Sequence, residues 1–573
     1  MSVAELRAAI VVVGGGAAGM YAAIEASRHG ADVLLLDKSL VGRGGATVMA
    51  QMTVAAAIGH ADADDWRLHH EDTMRSGKGL NDESLARLLC SEGPDRILET
   101  RRMGVRWAAD GDRLRQVDAP GHSRRRCCYV GSLGTGIGVS NGLRKELRRR
   151  QVRTRSGLFV IDLLLAGDGH CAGVVALDVQ AGELVVVWAG AVVLACGGLT
   201  ELFARNSASV NMTGDAHALA LRAGASLLDA EMVQYFPIGN LAPRLVGLDP
   251  IMWDPFRYQL GGRLLNGSGD EFVQRYSEMA DEGRYSTPRD VLTYAILTEV
   301  AAGRGTPNGG VWLDFRGVPF EKIRSLFPHA VAKLLEQGVD LRERAVEVAP
   351  MAHYTLGGVL VDDSMATSVP GLYAAGEAVG GAHGANRLSG NAITEAFVFG
   401  HRAGRSAAAY AADAGSPGPD PAAREGRDRA VARVEAELGR NPSSRLGMPV
   451  LRRELQAVMW ENVGPFRTAA GLATASTALD CLEYEQLPAT RVGAARRYNM
   501  EWYEALEMRN LLLAARSIVL AASERRESRG AHQREDMART LAEFEMNSVV
   551  ALRDGSLTHG WRPVVRDAVG VPA

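Results

Sequence analysis

Residues 9–38 read AIVVVGGGAAGMYAAIEASRHGADVLLLDK, and no other stretch limits the possible folds so tightly. A run of β-branched residues predicts a buried parallel strand. Gly14, Gly16 and Gly19 then supply G-x-G-x-x-G, MYAAIEASRHG continues as a helix, and ADVLLLDK is a second strand ending in Asp37. Strand, glycine turn, helix, strand and terminal acid follow in the order of a dinucleotide-binding βαβ unit. The glycines let backbone approach a pyrophosphate, which rests on the helix N-terminus. Asp37, 18 residues after Gly19, stands where a carboxylate takes a ribose hydroxyl. An acid there disfavours a 2′-phosphate and leaves FAD or NAD.

The remaining bulk properties exclude several classes. With 573 residues, two to four domains are expected. The formal charge is 64 − 67 = −3, so a nucleic-acid partner is not expected. No apolar run reaches the ~18 residues of a membrane span. AAIVVV leads straight into glycines rather than a cleavage site, so cytoplasm is the expected compartment. The six cysteines form no C-x-x-C, so no metal site is expected, and Cys127–Cys128 read as buried thiols.

Three more glycine-rich stretches separate FAD from NAD. GRGGATVMAQ (42–51) follows the second strand, AGAVVLACGGLT (189–200) is another strand ending in small residues, and PGLYAAGEAVGGAHGANRLSGNAITEAFVFGHRAG (370–404) runs from strand through loop into a helix beginning near Asn391. A ring system laid across strand ends needs such close backbone, and a helix N-terminus there favours negative charge on reduced flavin.

On these stretches, with GHSRRRCCY (121–129), TGDAHALALRAGA (213–225), HYTLGGV (353–359), ALEMRNLLLAA (505–515), RRESRGAHQRED (525–536) and RPV (562–564), the chain resembles the flavoprotein family of succinate dehydrogenase, fumarate reductase and L-aspartate oxidase. The resemblance implies an α/β fold: a Rossmann-like FAD-binding domain from 1–235 and 346–415, an inserted α+β capping domain at 236–345, a C-terminal helical domain at 425–535 and a tail at 536–573. The Pro- and Gly-rich stretch 412–428 independently reads as a linker. ESRGAHQRED (527–536) is polar all round and, on its own, reads as a solvated helix; the resemblance implies instead that it helps shape the active-site edge.

The same resemblance implies site residues. Gly14, Gly16, Ala18 and Gly19 would hold the pyrophosphate, with Asp37 and Lys38 at the adenosine ribose. Gly44, Gly45, Ala46, Thr47 and Gln51 would line the flavin, Asp215 and Glu377 the ribityl or phosphate side, and Asn391, Ala392 and Ile393 the pyrimidine edge. Relatives with covalent flavin carry a histidine where Ala46 stands, so FAD is expected to be non-covalent. His353 and Arg387 match the family's substrate contacts, and an arginine can grip a carboxylate bidentately. On its neighbours alone, His353 reads equally as a satisfied core histidine.

Other family positions have changed. QYFPI (234–238) places Phe236 where relatives have histidine, and DPFRYQLGGRLLN (254–266) places Asp254, Pro255 and Tyr258 at a threonine, a glutamate and an arginine. TPRDVLTYAI (287–296) begins as a capped helix, with Thr287, Pro288 and Asp290 in starting positions. Aligned on R-D-V-V-S-R-A-I, it puts Tyr294 at the position of the proton-delivering arginine. Tyr294 then has two readings, proton transfer or packing.

The expected function is FAD-dependent oxidoreduction next to a substrate carboxylate, with hydride passing to or from flavin N5. Tyr294, His353 and Arg387 are the catalytic candidates; Asp254, Phe236 and Tyr258 complete the substrate contacts. Succinate and fumarate are disfavoured, because the second carboxylate clamp and the proton-shuttle arginine are replaced. Tyr235, Trp253 and Phe256 add to an expected aromatic lining suited to one carboxylate and a bulkier far end. The alternatives are an L-aspartate-oxidase-like amine or amino-acid oxidase, and a flavoprotein passing electrons to an iron–sulfur or ferredoxin-like partner.

Overall fold

The computed structural model describes residues 3–131, 133–246, 251–276, 289–414, 420–441 and 446–566. Thr287 and Pro288 lie outside them, as does the side chain of Tyr258.

The opening βαβ unit forms as its pattern demands. β1 (Val3–Val13) leads through the glycine turn into α1 (Ala17–Arg28) and β2 (Val33–Asp37), parallel to β1. β3 (Arg153–Ser156), β4 (Leu158–Leu165), β5 (Cys171–Asp178) and β6 (Glu183–Leu194) complete most of one sheet, ordered β3–β2–β1–β6–β5–β4. β6 runs parallel to β1 with Leu194 opposite Val13, so two strand ends and the glycine turn meet at one edge. Ile10, Val11, Val12, Val192, Val193 and Leu194 are fully buried. Each such side chain contributes ~1.5–3 kcal/mol of burial.

From β6 the chain crosses into a second layer. β7 (Val233–Ala242), α2 (Asp254–Leu260), β8 (Arg263–Leu265), α3 (Arg289–Glu299), β9 (Val311–Asp314) and β10 (Val346–Thr355) build an antiparallel sheet, ordered β7–β10–β9–β8, with helices against it. Phe236, Trp253, Phe256, Phe315 and Phe327 fill its core, and Phe256 stacks on Phe327 with centroids 3.9 Å apart. These aromatics pack this layer, and Tyr235 meets Phe203 and Trp460 edge-on. The expected aromatic substrate lining is therefore corrected: the rings have protein partners.

The chain returns through β11 (Leu372–Ala374), which pairs with the C-terminal end of β6, and enters α4 (Asn391–Ala414). α4 lies tightly on α1 through two glycines one turn apart. A Cβ at Gly400 would sit 2.5 Å from the Ala18 carbonyl oxygen, and one at Gly404 2.3 Å from that of Ala22. Next, α5 (Met448–Val463), α6 (Ala469–Cys481) and α7 (Met500–Glu524) pack around a core shared with Phe159, Phe203 and Tyr235 of the earlier layers, with Asn499 capping α7 through the Trp502 amide.

The segment after α7 departs from the sequence reading. Residues 525–541 are not helical, and Arg525, Glu527, Arg529, His532 and Arg534 are buried. Arg525 lies among Glu231 (2.5 Å), Asp229 and Glu527 (both 3.3 Å). Its polarity is internal ion pairing rather than a solvated face. The hairpin β12 (Met546–Arg553) and β13 (Ser556–Pro563) then pairs with Ser226–Leu228. Among the described residues no helix is long and apolar enough to cross a membrane.

Candidate functional site

At the edge where β1 and β6 end, the glycine turn has no room for side chains. Gly14 adopts φ +109°, and a Cβ there would lie 2.3 Å from the Ala195 carbonyl oxygen. A Cβ at Gly19 would lie 1.8 Å from that of Gly14. Gly16 caps α1 with no side chain of its own, and beside the Ala17 amide, which donates to the Thr47 hydroxyl (3.0 Å), the helix N-terminus is open to an anion. Asp37 ties the turn together: one carboxylate oxygen accepts from the Gly15 amide (2.6 Å), the other from the Ser39 amide (2.7 Å) and hydroxyl (2.9 Å).

One cavity, with ≈ 1470 Å³ of empty space including its opening, takes in this turn and continues to the second layer. Gly14, Gly16, Ala18, Asp37, Lys38, Gly44, Gly45, Ala46, Thr47, Gln51, Asp215, Glu377, Ala392 and Ile393 all border it. Glycine cradle, helix N-terminus and strand-end carboxylate together fit a dinucleotide.

Three expected contacts have other duties. The Lys38 ammonium lies 2.8 Å from Asp215 and 2.7 Å from Glu507, and donates to Thr213. Burial opposes its charge, but the two carboxylates outweigh burial and hold it well above the ordinary lysine range. The second oxygen of Asp215 accepts from Asn510 at 2.8 Å. Lys38 and Asp215 thus brace the cavity wall against α7. Asn391 does not border the cavity: its side chain bonds His69 (2.8 Å) and Thr73 (3.1 Å) and anchors the start of α4.

Glu377 accepts from the Thr355 amide at 3.0 Å, and burial pushes its carboxyl up to about 8. The folded state therefore holds this proton over a pH range where the unfolded chain has released it. Stability contributed by the protonated form is lost as pH rises from the ordinary carboxylate range through about 8. Cofactor-free protein is expected to melt at a lower temperature at pH 8 than at pH 5, with Glu377→Gln narrowing that difference. Thermal melts of apoprotein at both pH values check this.

At the far end of the cavity, His353, Arg387 and Arg289 converge. His353 comes from β10; its Nδ1 meets the Ser207 hydroxyl at 2.7 Å. Burial, with Arg289 and Arg387 adding, pulls its pKa well below the ordinary histidine value, so it is neutral. Arg387 lies in the loop before α4, stacked over the Tyr354 ring at 4.3 Å, with Nε buried and unpaired. Burial, then Arg289, lowers it to about 10, so it stays cationic at neutral pH. His122 holds the same loop through the Ser389 carbonyl (2.7 Å), and Arg126, between Asp64 and Asp72, backs His122.

Arg289 is the residue that the sequence reading missed as a site residue. It opens α3, borders the cavity, lies 5.1 Å over the Phe236 ring and 3.6 Å from Asp254, and leaves Nε and Nη1 without hydrogen-bond partners. The signal was present as the arginine that opens RDVLTYAI. Tyr294, five residues on, is turned ~140° around the helix. Its hydroxyl donates to the Gly530 carbonyl (3.2 Å), its ring packs on Phe466, and it does not border the cavity. Burial, with Asp290 adding, raises its pKa well above the ordinary phenol value, which removes the ionised form from consideration. Phe236 is fully buried behind His353 and Arg289, and Asp254 is paired with Arg289, so neither forms the cavity surface as expected.

Comparison with known proteins places these features. Residues 9–393 match the FAD binding domain family, and 452–572 match the fumarate reductase flavoprotein C-terminal family. The chain is 36% identical over 538 residues to one of the subunits of the fumarate reductase (CoM/CoB) of Methanothermobacter marburgensis, covering 94% of this chain and 95% of that one. It is 35% identical to L-aspartate oxidase of Streptomyces coelicolor, covering 93% and 89%. A variant of Escherichia coli quinol fumarate reductase superposes with TM-score 0.91 at 29% identity, covering 99% and 98%. With its glycine cradle, its cavity and these matches, the chain belongs to the FAD-dependent oxidoreductases of the fumarate reductase, succinate dehydrogenase and L-aspartate oxidase flavoprotein family, and FAD is its cofactor.

Proposed function

We propose that the protein oxidises or reduces a carbon–carbon bond adjacent to a carboxylate, in a substrate that carries one carboxylate at this site. One observation carries the reading. Two guanidiniums and a neutral imidazole face the cavity, and Asp254 answers only one of the two positive charges. Arg289 has Asp254 at 3.6 Å, whereas among the described residues Arg387 has no carboxylate within ion-pair distance, Glu377 and Glu395 acting on it only from further off; a buried cation so placed calls for one anionic group.

FAD supplies the two-electron donor or acceptor. Arg387 grips the carboxylate with parallel N–H donors. In the tautomer in which Nδ1 accepts from the Ser207 hydroxyl, the His353 proton sits on Nε2 and adds a third hydrogen bond. Arg289 exchanges a proton with the substrate carbon beside the reacting centre, and Asp254 behind it restores the proton balance. This assignment moves the acid–base role from Tyr294 to Arg289, so an absent shuttle no longer counts against fumarate. A dicarboxylate is disfavoured by the charge balance, and Phe236, buried behind His353 and Arg289, offers no polar group to a second carboxylate.

Titrating holoenzyme flavin absorbance with crotonate, cinnamate, succinate and malonate tests this. The monocarboxylates are expected to perturb the spectrum at lower concentration. Tighter succinate or malonate binding would overturn the one-carboxylate reading, and turnover of fumarate by viologen-reduced enzyme would replace it.

The flavin is non-covalent on this reading, because Ala46 offers no nucleophile. Acid precipitation should leave all the flavin in the supernatant; colour retained in the pellet would contradict this. Two finer possibilities follow from named relatives. The similarity to L-aspartate oxidase supports amine or amino-acid oxidation, read by hydrogen peroxide release on an amino-acid panel. The similarity to a protein that is one component of a multi-subunit reductase supports an electron-transfer partner such as an iron–sulfur protein, read by iron co-purifying with the chain.

A further inference from the structure

We propose that Tyr294 is a positioning residue: it latches the capping helix α3 to the buried strap 525–535, so that Arg289 stands in register with Arg387. The inference rests on the assignment of Arg289 and Arg387 as the substrate-facing pair.

The strap is fixed on two sides. The Ala531 amide donates to the Ala385 carbonyl at 2.8 Å, two residues before Arg387. Gly530 adopts φ +53°, and a Cβ there would lie 2.3 Å from that same carbonyl oxygen, so strap and loop are in direct backbone contact. On the other side, the Arg467 amide donates to the Gln533 carbonyl (3.0 Å), the Glu535 amide to the Arg467 carbonyl (2.9 Å), and the Arg467 guanidinium to His532 Nδ1 (2.6 Å). The strap therefore moves with the helical layer and with the Arg387 loop.

α3 belongs to the other body. Leu292, Ala295 and Ile296 pack in the aromatic core of the capping layer, and Arg289 pairs with Asp254 of α2. Tyr294 reaches out of that layer. Its hydroxyl donates to the Gly530 carbonyl, which also accepts from Gln533 at 3.0 Å, and its ring packs on Phe466 with centroids 5.2 Å apart. The path from the substrate-facing guanidinium of one layer to that of the other runs Arg289, α3, Tyr294, Gly530, Ala531, Ala385, Arg387. A phenol held neutral by burial suits this role, because it donates at any working pH.

The test compares Tyr294→Phe with wild type as FAD-loaded holoenzyme. Amide hydrogen exchange over 289–299 is expected to quicken about two- to tenfold, the cost of one net hydrogen bond, while exchange over 3–37 and FAD content stay unchanged. This readout needs no substrate, so it stands or falls separately from the proposed reaction. On whichever carboxylate proves to be turned over, kcat/KM should fall by a similar factor with the pH profile unmoved. Unchanged exchange over 289–299 would overturn the latch. So would a displaced limb of the pH profile, which would make Tyr294 a proton carrier. If Tyr294→Phe lost FAD, Phe466→Leu would be used instead, since it loosens the same contact from the helical side; unchanged exchange over 289–299 there would likewise overturn the latch.

Discussion

Arg289→Gln is expected to lower kcat by two to four orders of magnitude while the protein keeps its FAD and still binds a carboxylate within a fewfold of wild type. The size is that of a lost general acid–base group. Glutamine keeps donors and approximate length at the helix start, so packing over Phe236 suffers little, but it cannot exchange a proton with Asp254. The contrast with Tyr294→Phe, expected at tenfold or less, separates the two residues decisively. Single-turnover reoxidation of reduced enzyme, beside a flavin-absorbance titration, measures the chemical step and the binding step independently. A loss confined to binding would make Arg289 a second carboxylate clamp, and the one-carboxylate reading would fall with it.

The route to Arg289 shows what the sequence carried and what it withheld. The βαβ unit was legible because each of its signals is local: β-branched runs, glycines with no room for a Cβ, and an acid at the strand end. Arg289 and Tyr294 lie on one helix, and a motif alignment ranks their residue types but not the side of the helix each faces. Five residues of helix turn the side chain from the cavity to the strap. The aromatics of 235–256 misled for a related reason: hydrophobic surface reads alike whether it lines a ligand site or packs a layer, and here Phe315 and Phe327, far along the chain, pack on Trp253 and Phe256. ESRGAHQRED misled in the opposite sense. Polarity predicts exposure only until the partners are known, and Asp229 and Glu231, about 300 residues earlier, are the partners that bury Arg525 just ahead of it.

Replacing Arg387 should cost carboxylate binding more than any other change at the substrate end. Arg387→Met is expected to reduce kcat/KM by about 30-fold to several thousandfold, the range for removing one member of a buried charge-assisted pair at ~2–5 kcal/mol. Methionine still packs on the Tyr354 ring and removes the charge repulsion with Arg289, so folding and FAD content should hold. Arg387→Lys restores the charge without the planar fork and should recover only part of the loss, because a point charge cannot make two parallel hydrogen bonds. In wild type the same group sets an upper pH limit. The guanidinium is charged below about 10, so carboxylate affinity should be flat through neutral pH and decline as pH rises through that value. In Arg387→Lys the limit should move, and in Arg387→Met it should vanish. Dissociation constants for crotonate from pH 7 to 10.5, read from flavin absorbance, give all three results in one series. A decline in wild type that persisted unchanged in Arg387→Met would assign the limit to another group and detach the carboxylate from Arg387.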